Sequence, residues 1–312
     1  MMGKIVKQLS KSRKMQAMFV VASVALAAGM RPAHSAKLLW SGDFETGDFA
    51  QYKSHLYGEG TYSTKKIVTA PVRGGKYATE LTILGNQHTT KERAELMSKV
   101  CSDGSNDCSG KIIRFYWDGP EYWLGFSYFF KDWNGDAWTF FQIHANNEPK
   151  GECDWAGNAF AIWGTGEKAN NDVDDKHQVR VIEQGGDAGT NANSNNRSVY
   201  TEQIQNGVWN DYVVHFKLSA QGNGFFEVWK DGEKIYAKTG LTNVNYNDNC
   251  GVPIPENERY HNGVHIGIYA DNDPQFRQIY YDEVRVAEGP DGYSLVAPGG
   301  GIAPPNPPVS LK

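Results

Sequence analysis

From Leu38 onward the chain carries no long apolar pattern at helical period. What recurs is short two-residue alternation broken by turn residues. That pattern excludes a helical bundle and predicts many short strands. The sharpest case is Phe225-Phe226-Glu227-Val228-Trp229 and Lys234-Ile235-Tyr236, which flank Lys230-Asp231-Gly232-Glu233. Asp-Gly tolerates the positive φ of a two-residue turn, so a hairpin is expected there. Residues 212–218 alternate in the same way. Residues 122–130 and 137–144 read as aromatic-rich strands around a turn at 132–136, and residues 278–286 as a late strand. Many short strands in one domain of this length predict an all-β sandwich. Residues 170–196, rich in Asn, Asp and Gly, read as long loops at its rim.

The ends read differently. Lys4, Lys7, Lys11, Arg13 and Lys14 precede an apolar stretch over residues 15–30, and Ala33-His34-Ser35-Ala36 offers small residues for cleavage. This is the pattern of a secretory signal peptide over residues 1–35, cut after Ser35 or Ala36. The apolar run is short for a membrane span, so a secreted or periplasmic protein is expected, without a membrane partner. Residues 36–290 then form one domain, and residues 291–312, with Pro304-Pro305-Asn306-Pro307-Pro308, read as an extended Pro/Gly-rich tail.

Removing residues 1–35 takes away six cations and no acids. The 31 cations and 36 acids of the whole chain become 25 and 36, a formal charge of −11. Such a balance argues against nucleic acid and densely sulfated polymers as partners, although a local cation cluster can still hold an acidic ligand. Four cysteines in an exported chain predict two disulfides. Cys101 and Cys108 bracket one polar loop and are expected to pair, leaving Cys153 for Cys250. A zinc site finds no supporting C-x-x-C or His spacing.

Three polar patterns carry the chemistry: Arg93-Ala94-Glu95-Leu96, Gln142-Ile143-His144, and His265-Ile266-Gly267-Ile268-Tyr269. Successive side chains of a strand point to opposite faces. Arg93 and Glu95 therefore share a face, as do Gln142 and His144, and His265, Gly267 and Tyr269. The apolar residues between them point into the core. A guanidinium, an amide, an imidazole and a phenol together would make an acid–base site. Each also has a plain reading: Arg93 as the ion-pair partner of Glu95, His144 as a packing residue, Tyr269 as an ordinary strand tyrosine. Trp117, Tyr122, Trp123, Phe126, Tyr128 and Phe129 are expected mostly in the core, with Trp133 or Trp138 facing a groove.

In that order the three patterns resemble the signature of jelly-roll polysaccharide lyases. Alginate lyases of this fold carry similar Arg-x-Glu-Leu, Gln-Ile-His and Lys-x-Gly-x-Tyr segments. The heparin lyase I and glucuronan lyase group is similar over residues 39–290, including Trp123-Leu124-Gly125-Phe126-Ser127 and the closing segment 280–286. The resemblance implies a concanavalin A-like jelly roll of two antiparallel sheets. It also implies a monomeric lyase that cleaves an acidic, uronate-containing polysaccharide by β-elimination, without a redox or nucleotide cofactor. Arg93 and Gln142 would neutralise the substrate carboxylate, and Tyr269 and His144 would act as acid and base. His265, Glu95, His88 and Trp138 would line the substrate. Relatives bind a structural Ca²⁺, for which Asp43, Glu45 and Asp282 supply hard oxygens. One departure is clear: His265 stands where relatives carry Lys. Glucuronan is therefore the first expected substrate, then alginate, then a heparin-like polymer. A lectin on the same scaffold would explain the aromatics without needing Tyr269. A glycoside hydrolase would need a carboxylate pair, and no Glu-x-Asp-x-x-Glu strand supplies one.

Overall fold

The computed structural model describes residues 35–85, 91–98, 113–133, 138–145, 159–164, 178–183, 197–244, 259–271 and 276–300. Residues 1–34 of the predicted signal peptide, the four cysteines, His88 and residues 301–312 lie outside them, as does the side chain of Trp138. Among the described residues no helix is long and apolar enough to cross a membrane.

Two antiparallel sheets face each other. The back sheet runs β14 (Glu233–Leu241), β13 (Gly224–Lys230), β12 (Trp209–Lys217), β7 (Tyr122–Phe130), β16 (Arg277–Glu288), β4 (Ala78–Ile83) and β3 (Ser63–Val68), with β1 (Lys37–Gly42) also on β16. The front sheet runs β11 (Arg197–Gln203), β10 (Gln178–Glu183), β9 (Phe160–Gly164), β8 (Trp138–Ala145), β15 (Tyr260–Asp271), β5 (Lys91–Ser98) and β2 (Tyr52–Leu56). Its β15 also carries β6 (Arg114–Tyr116). This is the jelly-roll sandwich that the alternation and the resemblance predict.

Period-2 alternation turns one face of each strand into the gap. Phe126, Tyr128, Tyr212, Val214 and Tyr281 come from the back sheet, and Ala94, Leu96, Phe141, Ile143, Ile162, Ile266 and Ile268 from the front, all in one buried cluster. Phe126 stacks on Phe141 across it, centroids 4.1 Å apart. The hairpin at Asp231 and Gly232 forms as expected, with φ of 49° and 83°, the signs a two-residue primed turn demands.

Three expectations change. Within the stretch read as loop, Gln178–Glu183 is strand β10, with Val179 and Val181 buried. Trp133 does not face a groove; it is 3% exposed and packs on Phe130, 4.5 Å between centroids. The tail is not extended at its start. Tyr293–Val296 form a helical turn (α1), and Tyr293, Val296 and Ala297 bury against Trp123, Val213 and Trp229 of the back sheet.

Candidate active site

The sheet order brings the three sequence patterns together. Strand β15 lies between β8 and β5, and β2 borders β5. In register, His265 opposes Gln142, Gly267 opposes Glu95, Tyr269 opposes Arg93, and His55 of β2 opposes Glu95. Because Ala94, Leu96, Ile143, Ile266 and Ile268 fill the core, these polar side chains stand on the outer face of the front sheet.

Gly267 makes the arrangement possible. Its φ is +128°, and a Cβ there would sit 2.1 Å from the Ala94 carbonyl oxygen and 2.7 Å from Glu95 Cα. The register of β15 on β8 also shifts between Ile266 and Tyr269, the two-against-one count of a β-bulge. With no side chain at 267, the outer face is open between β8 and β5, two strands or roughly 10 Å apart. The Gln142 amide Nε2 crosses that gap and donates to Glu95 Oε1 at 2.7 Å.

Glu95 in turn holds Arg93. Arg93 Nε lies 3.0 Å from Glu95 Oε2, a close ion pair whose N–H is not aimed well enough to count as a hydrogen bond. Arg93 Nη1 donates to the His55 ring, 2.9 Å from Nδ1 and 3.0 Å from Nε2. Burial first, then the charge of Arg93, lowers the His55 pKa to about 4. His55 is therefore a neutral acceptor at neutral pH. The guanidinium lies over the Tyr269 ring, 4.1 Å from its centroid, within cation–π range. The plain reading of Arg93 as a partner of Glu95 thus holds, and so does its contact with Tyr269.

His144 and His265 stack face to face, ring centroids 4.8 Å apart and 8° from parallel. His265 Nδ1 is 4.0 Å from Glu95 Oε2. Burial raises the Glu95 pKa, against the opposing pull of Arg93 and of the Gln142 hydrogen bond.

Exposure separates the roles. Arg93, His144 and Tyr269 are partly exposed, whereas Glu95, Gln142 and His265 are 1%, 2% and 3% exposed. Glu95, Gln142 and His265 thus lie together beneath the partly exposed groups, Glu95 against Arg93 and Gln142 and His265 under the His144 ring. His55 escaped the sequence reading, because a lone histidine on a short strand carries no local signal until the register places it beside Arg93.

The calcium ligands do not assemble. Asp282 accepts the backbone N–H groups of Arg73, Gly74 and Glu283 at 2.7, 3.1 and 2.7 Å, and burial raises its pKa to about 6. Glu45 accepts the N–H groups of Lys76 and Tyr77, each at 2.9 Å. Asp43 accepts the Ser41 hydroxyl at 2.8 Å. Carboxylates turned to N–H donors do not fit a calcium cage, which needs several oxygens converging on one point. Among the described residues no group of three or more His, Cys, Asp and Glu could hold a metal.

A two-sheet jelly roll whose outer face gathers Arg, Gln, His and Tyr side chains presents an acid–base site on an open sheet. Residues 44–285 match the family model described as polysaccharide lyase. The chain belongs to that family and is a polysaccharide lyase, with a polysaccharide as substrate. Its fold is similar to that of an endo-β-1,4-glucuronan lyase from the fungus Trichoderma reesei, at 20% identity and a TM-score of 0.52, over 80% of this chain and 98% of that one. It is also similar to a family 7 alginate lyase in complex with product, at 12% identity and a TM-score of 0.50, over 80% and 99% of the two chains. No curated protein matches it in sequence.

Proposed function

We propose that the protein is exported and cleaves an unsulfated polyuronate, glucuronan first, by β-elimination. The observation that carries this reading is the Arg93 guanidinium held over the Tyr269 ring at 4.1 Å, beside the Gln142 amide anchored on Glu95. Arg93 and Gln142 neutralise the uronate carboxylate as C5 loses its proton and charge spreads onto the carboxylate oxygens. The C4–O bond then breaks, C4 and C5 become doubly bonded, and the departing oxygen takes a proton.

In glucuronate the C5 proton and O4 lie on the same side of the ring, so the Tyr269 oxygen alone can take the first proton and return it to the leaving oxygen. Where they lie on opposite sides, His144 takes the proton and Tyr269 supplies the other. The elimination balances with side chains alone. The glucuronan lyase of similar fold, the acidic mature chain and the absence of a lysine at position 265 favour an unsulfated substrate. Export rests on the pattern of residues 1–36.

The test incubates the enzyme with polyglucuronate, polymannuronate, polyguluronate and heparin, and follows the ultraviolet band of the 4,5-unsaturated uronate. Polyglucuronate should give the fastest rise, and Tyr269→Phe should abolish it. Absence of the band from every uronate rejects the reading, and retained activity in the variant removes Tyr269 from the proton transfer.

A further inference from the structure

The register of the front sheet aligns more than the reacting groups. Arg93 pairs with Tyr269, Tyr269 with Thr139, Thr139 with Trp163, Trp163 with Arg180, and Arg180 with Thr201. One row therefore crosses β5, β15, β8, β9, β10 and β11 at a single level. Residues opposite each other in neighbouring strands share a face. The core side is occupied by Phe160 and Ile162 of β9 and by Val179 and Val181 of β10. Trp163 and Arg180 accordingly stand on the outer face with Tyr269, and both are partly exposed.

We infer that Trp163 and Arg180 form a distal subsite for the polyuronate chain, on the β10 side of the reacting sugar. The inference rests on the function proposed above and extends it to how the polymer is held. A pyranose in an extended 1,4-linked chain is about as long as the strand spacing, ~4.8 Å. A polymer lying across the strands thus advances about one sugar per strand. With one sugar at Tyr269, the second unit beyond it lies over Trp163 and the third over Arg180. An indole offers a flat apolar surface to the C–H face of a sugar ring. A guanidinium offers paired donors to the carboxylate that every unit of this polymer carries. Thr139 and Thr201 place hydroxyls in the same row.

The subsite makes cleavage depend on chain length. Oligoglucuronates of graded length are compared in the wild type, Trp163→Ala and Arg180→Gln, with circular dichroism to establish folding. Loss of one charge-assisted contact should cost roughly tenfold in kcat/KM on chains long enough to span the row, and the loss should shrink as the chain shortens. Binding of the same oligomers is measured by calorimetry in the Tyr269→Phe background, with and without each substitution. Cleavage with a loss that is absent, or equal at all lengths, overturns the subsite and leaves the proposed function standing. Length-dependent binding without cleavage by the wild type does the reverse. If the oligomers are neither bound nor cleaved, both fall.

Discussion

Replacing Gly267 by Ala tests whether the site is built on the close approach of β15 to β5. The new Cβ would lie 2.1 Å from the Ala94 oxygen and 2.7 Å from Glu95 Cα. Both are backbone atoms that cannot swing aside. Carbon and oxygen come no closer than ~3.3 Å in such contacts, so the strands must part by roughly 1 Å. Losing two ladder hydrogen bonds costs about 2 kcal/mol, and holding a residue with a side chain at φ +128° adds about 1–2 kcal/mol. The sum, ~3–4 kcal/mol, should lower the Tm by roughly 10 °C in a domain of this size. Gly232→Ala is the control. That glycine also has positive φ, 83°, but nothing lies within 4 Å of its Cβ position, so only the backbone term of about 1 kcal/mol remains. Parting β15 from β5 also moves Tyr269 off Arg93, and a 1 Å displacement should cost about a hundredfold in kcat/KM. Thermal unfolding and turnover are measured on both variants. Equal Tm values for the two, or full activity in Gly267→Ala, would refute the argument.

His55→Gln should alter the acid limb of stability. The folded-state pKa of His55 is depressed from 6.5 to about 4, so the unfolded chain binds this proton first. Its contribution is complete above 6.5 and is lost as pH falls toward 4. Urea midpoints measured above 6.5 and near 4 should therefore differ less in the variant, and identical acid limbs would count against a half-buried neutral His55. Tyr293→Ala removes a ring that lies 5.4 Å from Trp229 and 6.2 Å from Trp123. It should cost about 3 kcal/mol and shift tryptophan emission to the red, whereas unchanged stability would mean that the segment is not packed.

What the sequence disclosed depends on how local each signal was. Residues 122–130 match strand β7 end to end, because an aromatic run between turn residues has few other ways to fold. The three site patterns were readable as pairs on one face for the same reason, since side-chain alternation is a property of a single strand. That β15 lies between β8 and β5 is not local: β15 follows each of them by more than a hundred residues, and nothing in any of the three segments names its neighbour. His55 and the Trp163–Arg180 row were invisible for that reason. Strand β10 was missed because Val179 and Val181 sit in a segment whose composition is dominated by Asn, Asp and Gly. Prolines in the same way masked Tyr293 and Val296. The three acids read as calcium ligands show a further limit: a carboxylate looks the same in sequence whether its partner is a cation or a backbone N–H.

A carboxylate buried in the middle of the candidate site needs a physical reason, and the contacts of Glu95 supply one. Left alone, its charge would be costly to bury. Here one oxygen accepts the Gln142 amide, and the other lies within 3.0 Å of Arg93 and 4.0 Å of His265. Glu95 thereby fixes the guanidinium from one side while His55 fixes it from the other and the Tyr269 ring lies against its face. A long cation that would otherwise sample many rotamers is held in one, so the entropy of ordering it is met on folding rather than on binding. The cost is charge: the positive charge of Arg93 is largely offset at short range by Glu95. A lysine at position 265 would restore that charge but not the flat surface on which the His144 ring rests, 8° from parallel. The site thus gains fixed geometry and gives up electrostatic attraction.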